Sequence, residues 1–230
     1  MTLSVFVTGT DTGVGKSLAS AALLHALARH HARVVGMKPV ASGAALHGGV
    51  LANEDALALR AASTLAVPAA LDNPVLLPEP LSPHIAAARA GVQISLAAIT
   101  ASHRALAALA DAVVVEGAGG FHVPLSDRLT GADLAQALNL PVVLVVGLRL
   151  GCLNHALLTA QAIQAHGLTL AGWVANHIDP QMLAPRENLA WLRQRLAPAP
   201  LLAELPWQGG TPDARALAGH FALPAAWCLA

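Results

Sequence analysis

Residues 5–17 constrain this chain more than any other segment: Val5-Phe6-Val7-Thr8-Gly9-Thr10-Asp11-Thr12-Gly13-Val14-Gly15-Lys16-Ser17. An apolar strand runs into a glycine-rich turn, and a helix opens at Lys16. Such a turn aims several backbone N–H groups at one point, at the positive end of a helix dipole. A polyphosphate fits there, against Thr12, Gly13, Val14, Gly15, Lys16, Ser17 and Leu18. Lys16 brings a mobile positive charge to the outer phosphates, and the Ser17 hydroxyl can hold Mg²⁺. The spacing departs from G-x-x-x-x-G-K-[ST], because Thr10 occupies the first glycine's position and Gly9 stands one residue earlier. An ordinary glycine turn with a surface lysine is the plainer reading. The order strand, turn, Gly-Lys-Ser, helix favours the phosphate site over it.

Composition supports one large core. The chain has 230 residues, read as one domain over 1–230, and 55% of them are hydrophobic. Mean hydropathy is +0.58, yet no apolar run reaches the roughly 18 residues of a spanning helix. No basic region precedes the N-terminal apolar segment, so no signal peptide is expected. Short all-apolar runs then point to a buried parallel sheet. The formal net charge is zero, so nothing suggests nucleic acid or an anionic membrane as a partner. Two cysteines, Cys152 and Cys228, make no disulfide framework, and a reducing cytoplasm fits. The eleven histidines are scattered, and His30-His31 lacks metal-ligand spacing.

Strand-like runs fall at residues 3–8, 33–37, 112–115, 142–146, 168–175 and 201–205. Helical patterns lie between or after them, at about 16–30, 54–63, 82–90, 95–110, 132–138, 153–166, 185–196 and 212–219. In the first, Ala19, Ala22, Leu23, Ala26 and Leu27 follow the i, i+3, i+4, i+7 rule. This alternation predicts an α/β fold, a mainly parallel sheet with helices on both faces. The proline-rich stretch from Pro68 to Pro83 reads as a loop lining the site. Ligands of such sheets sit beyond the carboxyl ends of the strands.

Residues at those ends are informative. Lys38 leaves the second strand in Lys38-Pro39-Val40-Ala41-Ser42-Gly43 and is a candidate second phosphate cation. A snorkelling surface lysine is the alternative. Asn53 is a good helix N-cap before Glu54 and Asp55, which the helix dipole alone would explain. Val113-Val114-Val115 deliver Glu116 to the ligand edge ahead of Gly117-Ala118-Gly119-Gly120. Ser17, Asp55 and Glu116 make a plausible Mg²⁺ set of one hydroxyl and two carboxylates. A purely structural Glu116 would have to be buried and paired. A helix start near Leu153, after Gly151, offers further free N–H groups for an anion, or is only a helix start. Asn176 could pair with a purine edge, or be a turn asparagine.

Together these motifs resemble dethiobiotin synthetase. The resemblance is carried by the Gly9–Lys16 and Lys38–Gly43 segments, Glu79-Pro80-Leu81-Ser82-Pro83-His84, Val115–Gly120 and Leu150–His155, with Gly172–Asn176 and Pro200–Trp207. It covers nearly the whole chain, in order. It implies a P-loop NTPase-like fold and an ATP-dependent ligase of biotin synthesis. The reaction closes a cyclic urea from 7,8-diaminononanoate (diaminopelargonate) and CO₂, through a carbamate and a carbamic-phosphoric mixed anhydride. By that likeness Lys16 and Lys38 flank the transferring phosphate, and Thr12, Lys38, Ser42 and Ser82 line the diamine and carbamate region. Ser17, Asp55 and Glu116 hold Mg²⁺, and Glu116 also belongs to the ATP site. Asn176 reads the adenine, with Pro206 and Trp207 near the base. A homodimer is implied, in which Gly151, Leu153 and Asn154 of one subunit receive the substrate carboxylate bound to the other.

The chain departs from the family pattern in places. Gly13 stands where many members carry Glu, Ser17 replaces the usual Thr, and Asn188 stands where some place a Tyr. A reading from another class is the partition or cell-division ATPase, which shares the fold and switches on DNA or membrane. Those proteins typically carry a second lysine where this chain has Asp11. An amidotransferase-type synthetase would need a glutaminase domain, for which the chain is too short.

Overall fold

Successive residues of the first strand point to opposite faces: Val5 and Val7 join one buried cluster and Phe6 another. That alternation, repeated along each apolar strand, lets one sheet bury both faces under helices. The computed structural model describes residues 2–228. In chain order the elements are β1 (Leu3–Gly9), α1 (Lys16–Leu27), β2 (Val34–Met37), β3 (Val40–Ser42), β4 (Ala45–His47), β5 (Val50–Ala52), α2 (Glu54–Ala62), α3 (Ala69–Asp72), β6 (Val75–Leu77), α4 (Pro83–Ala90), α5 (Leu96–Leu109), β7 (Ala112–Gly120), α6 (Gly131–Leu138), β8 (Val142–Leu148), α7 (Cys152–Ala165), β9 (Leu170–His177), α8 (Pro185–Arg195), β10 (Leu201–Leu205) and α9 (Ala214–Leu217).

Six strands form one sheet in the order β10-β9-β8-β1-β7-β2, and every neighbouring pair is parallel. One face carries Val114, Val143 and Val145 against Leu23 and Leu24 of α1 and Leu59 of α2. The other carries Val113 and Val115 against Ile99 and Leu106 of α5 and Leu134 of α6. Further along that face, Leu144 and Trp173 meet Ala156 of α7 and Leu192 of α8. Each of the valine, leucine and isoleucine side chains taken fully from water contributes about 1.5–3 kcal/mol. From β1 the chain passes to β2 on one side, then crosses from β7 to β8 on the other. β1 is therefore the switch point, where a crevice opens beyond the strand ends. Among the described residues, no helix is long and apolar enough to cross a membrane.

The six strands expected from sequence are the six of this sheet, with shifted ends. β7 continues to Gly120, beyond the expected Val115, and β9 spans Leu170–His177, so Asn176 lies inside it. α1 stops at Leu27, short of His30. There His30 N–H bonds back to Leu27 O, and this i→i+3 bond tightens the chain out of the α-helix. The pattern at 212–219 resolves into the short α9, capped by Asp213, and a 3-10 turn. Sequence reasoning did not find the parallel pair β3–β6, the hairpin β4–β5 or α3. Three or four residues are too few for a periodic pattern to register. The Pro68–Pro83 stretch thus holds α3 and β6, and only its later part is a loop.

Gly36 shows how close β2 lies to its helices. A Cβ there would stand 2.8 Å from Leu59 Cβ and 2.9 Å from Leu24 Cδ1. Gly36→Ala should cost about 1–3 kcal/mol through overpacking. Urea unfolding should show a lower midpoint with an unchanged slope; an unchanged midpoint would mean these helices have room to move.

Candidate functional site

The loop after β1 depends on two glycines in the left-handed region, Gly13 with φ 76° and Gly15 with φ 83°. Gly15 is also pressed against Asn176: a Cβ on it would clash with Asn176 Nδ2. Gly15 is the N-cap of α1 and offers no side chain to the first helical N–H groups, which are left for a ligand. Lys16 is buried, and its Nζ donates to Asp11 O at 3.0 Å. A lysine folded back over its own loop in this way is close to the phosphate position.

Register brings the next groups to the same place. Val7 of β1 lies opposite Glu116 of β7, and Met37 of β2 lies opposite Val115, so Lys38 follows beside Glu116. Glu116 has no exposure to water. Lys38 Nζ donates to Glu116 Oε1 at 2.5 Å and pairs with Asp55 Oδ2 at 2.8 Å. Ser17 Oγ lies 2.7 Å from Asp55 Oδ1 and 2.8 Å from Glu116 Oε1. The structure thus brings Ser17, Lys38, Asp55 and Glu116 into one cluster. Asp55 is aimed by Asn53, which caps α2 by accepting from Asp55 N–H and also donates to Ser42 O at 3.0 Å.

Burial and charge act in opposite directions on these groups. Burial pushes the Lys16 ammonium below its ordinary pKa, and the nearby Lys38 charge adds to this; the surrounding acids offset only part. Burial works the same way on Lys38, but Glu116 and Asp55 outweigh it and hold that ammonium above its usual value. Burial alone would raise Asp55, yet Lys38 and the Ser17 hydroxyl hold its carboxyl below the usual range.

The cluster suits a hard divalent ion. Glu116 Oε2 is buried and, among the described residues, has no hydrogen-bond partner. A buried carboxylate oxygen left unpaired is free to take a water or an ion. One hydroxyl and two carboxylates fit Mg²⁺, which takes its remaining oxygens from water and phosphate. Among the described residues, no three His, Cys, Asp or Glu side chains gather to hold a metal by themselves, so an ion here would depend on the Ser17 hydroxyl, phosphate and water as well.

Beside the cluster a cleft of about 430 Å³ is lined by Thr12, Lys38, Ser42, Asp55, Ser82 and Gly119, among others. Ser42 Oγ is buried there and unpartnered among the described residues, while Ser82 Oγ lies 3.1 Å from His84 Nδ1. A second cavity, of about 400 Å³, is lined by His177, Glu204, Pro206, Trp207 and His220. Asn176 is placed apart from it: buried, its Nδ2 donates to Val14 O at 2.9 Å and braces the loop. Leu18 is half-buried on α1. Gly151, with φ 94°, starts α7 at Cys152; Gly151 and Asn154 are exposed and Leu153 half-exposed, and all three stand outside the residues lining either cavity.

Several positioning residues escaped the sequence reading. Lys38 is fixed through its backbone, its N–H to Asp72 O and its carbonyl to Asn73 Nδ2. Arg60 grips the buried Asp72 through two bonds of 2.6 Å. Arg149 Nη2 meets Asp11 Oδ2 at 2.6 Å. These partners lie 12 or more positions apart, beyond the few residues over which a helix or strand pattern repeats.

The lowered Lys16 pKa has a measurable sign. Below that value the ammonium is charged; above it the charge is lost. Affinity for Mg·ATP should therefore fall as pH rises through it, before an ordinary lysine would titrate. Binding at a pH near that lowered value should take up a proton. Calorimetry in buffers of different ionisation enthalpy reads this directly. A binding enthalpy independent of buffer there, lost affinity notwithstanding, would place the titration elsewhere.

The fold has known relatives. The MinC:MinD cell division protein complex of Aquifex aeolicus matches with TM-score 0.58 and 14% identity, over 93% of this chain and 84% of that one. A ParA family ATPase from Chlorobium tepidum matches with TM-score 0.55 and 16% identity, over 90% and 85%. The septum site-determining protein MinD of Pyrococcus horikoshii, complexed with Mg-ADP, matches with TM-score 0.54 and 15% identity, over 90% and 82%. At these identities the likeness is one of fold, that of the P-loop NTPases. A family profile described as an AAA domain, AAA_26, matches residues 4–214. The chain belongs to the AAA_26 family of AAA domains.

Proposed function

We propose that this protein is a dethiobiotin synthase, an ATP-dependent cyclo-ligase that makes the ureido ring from 7,8-diaminononanoate and CO₂. The observation that carries the reading is the cleft in which Thr12, Lys38, Ser42 and Ser82 meet beside the phosphate loop. A plain NTPase needs only water there. This cleft has room for an acceptor, with an unpartnered buried hydroxyl on Ser42 to address it. The AAA_26 family includes dethiobiotin synthetase, which supports the reading without selecting it.

The chemistry follows from these residues. One substrate amine adds to CO₂ and loses a proton, giving a carbamate. A carbamate oxygen attacks the γ-phosphorus of ATP, and the bond to ADP breaks. The second amine then attacks the carbamoyl carbon, phosphate leaves, and the ring closes with loss of a proton. Phosphoryl transfer needs positioning and charge neutralisation more than covalent help. Lys16 and Lys38 supply that charge from the two sides of the transferring group. Thr12, Ser42 and Ser82 orient the diamine and carbamate. Ser17, Asp55 and Glu116 would hold Mg²⁺, which when bound neutralises phosphate charge. Pro206 and Trp207 flank the base, and Asn176, whose Nδ2 is engaged with Val14 O, has its Oδ1 left to offer the adenine. The setting is the cytoplasm.

A second reading is a partition-type ATPase, favoured by the fold likeness to MinD and ParA. One set of assays separates the two. With the synthase, ATP hydrolysis is slow alone and rises only when diamine and bicarbonate are both present. Label from ¹³C-bicarbonate then enters the ureido carbon, and Lys16→Ala or Lys38→Ala lowers turnover by about 10²–10³-fold. Hydrolysis stimulated by DNA or lipid, indifferent to the diamine and with no ¹³C incorporated, would reject the synthase in favour of the switch.

The proposed enzyme is a symmetric homodimer, with Gly151, Leu153 and Asn154 of each subunit completing the other's substrate site. Leu150, 95% exposed just before α7, and Leu158, 56% exposed in its second turn, leave apolar surface to cover. An inactive Asn154 variant mixed with an inactive Lys16 variant should recover part of the activity, because one hybrid site is intact. No recovery, together with a fully active monomer in light scattering, would remove the shared site.

A further inference from the structure

Asp11 is an anomaly in a phosphate-binding loop. Its carboxylate sits among groups that must accept several negative charges, and an uncompensated acid there works against the ligand. The loop nevertheless depends on this residue. Its main-chain oxygen accepts from Lys16 Nζ at 3.0 Å, and its Oδ1 accepts from Thr12 N–H at 2.7 Å. Its Oδ2 accepts from Arg149 Nη2 at 2.6 Å. Arg149 follows β8, the strand beside β1, and its carbonyl takes the Cys152 N–H that starts α7. The loop is tied to β8 at one more point, where Thr10 N–H donates to Val145 O.

We infer that Arg149 is a positioning residue for the phosphate loop: it neutralises Asp11 and holds that residue's carboxylate away from the incoming polyphosphate. Both side chains are nearly half-exposed, so the pair adds little to global stability. Its value lies in the local charge. With Arg149 in place, Asp11 keeps its two structural bonds, to Thr12 N–H and Lys16, and brings no net negative charge to the site. The acid and the arginine then form one functional unit, from residues 138 positions apart. The inference rests on reading residues 9–17 as a nucleotide-phosphate loop, and it is independent of the acceptor substrate.

A double-mutant cycle on Mg·ATP binding, followed by calorimetry on the full chain, tests it. Arg149→Gln should weaken binding by about tenfold at low salt, and by much less at about 0.5 M salt, where the Asp11 charge is screened. Arg149→Lys, which keeps the charge, should restore most of the affinity. In an Asp11→Asn background, which keeps the acceptor for Thr12 N–H, Arg149→Gln should change affinity by no more than about twofold. Recovery in that double variant also excludes misfolding as the cause of the single defect. A loss of equal size in both backgrounds would make Arg149 a direct phosphate ligand and overturn the proposal. Equal affinities of wild type and Arg149→Gln would overturn it as well. A wild-type protein that binds no Mg·ATP would refute the reading of the loop itself.

Discussion

Taking a carboxylate entirely out of water at the middle of a sheet is costly unless a cation and further donors meet it there. Glu116 meets that condition through Lys38, which comes from the neighbouring strand edge, and through the Ser17 hydroxyl. Removing one partner of such a pair typically costs about 3–5 kcal/mol, far more than a surface pair. The surrounding structure serves the same contact. Asp72 and Asn73 fix the Lys38 backbone, and Arg60 fixes Asp72. Asn53 caps α2 so that Asp55 closes the cluster from the open side. The pair is built for charge at a site, since leucines in the same positions would fill the core at lower cost.

Topology explains why the cluster lies where a nucleotide could use it. β1 sits between β7 and β8, and the chain changes direction across it. The loop after β1 therefore faces Glu116 on one side and the start of α7 on the other. Gly15 permits the close approach of Asn176 from β9, so a third strand end supports the loop from below.

Fold alone does not choose among the activities this architecture supports. MinD and ParA proteins share the sheet with this chain at 14% and 16% identity. What separates the readings is local: a cleft with Ser42 and Ser82 beside the phosphate loop, and an acid at position 11 paired with Arg149. These features concern what stands next to the phosphates, which is where an acceptor substrate and a switch surface would differ.

The six strands of the sheet and most of the chemical groups at its ligand edge were legible in the residue pattern. Val113-Val114-Val115 read as a buried strand that carries Glu116 toward the ligand edge, although the strand itself runs on through the acid and the glycines to Gly120. Gly13 and Gly15 signalled a tight loop because few other residues adopt positive φ. Local patterns of this kind survive in a one-dimensional reading because burial and backbone geometry repeat every few residues. Which groups meet was set by packing. That Lys38 neutralises Glu116, that Asn176 braces Val14, that Asp11 is held by Arg149, and that β3 pairs with β6 all depend on strand order and register. Those are fixed only when the two faces of the sheet are packed together, because contacts between distant segments leave no period in the chain.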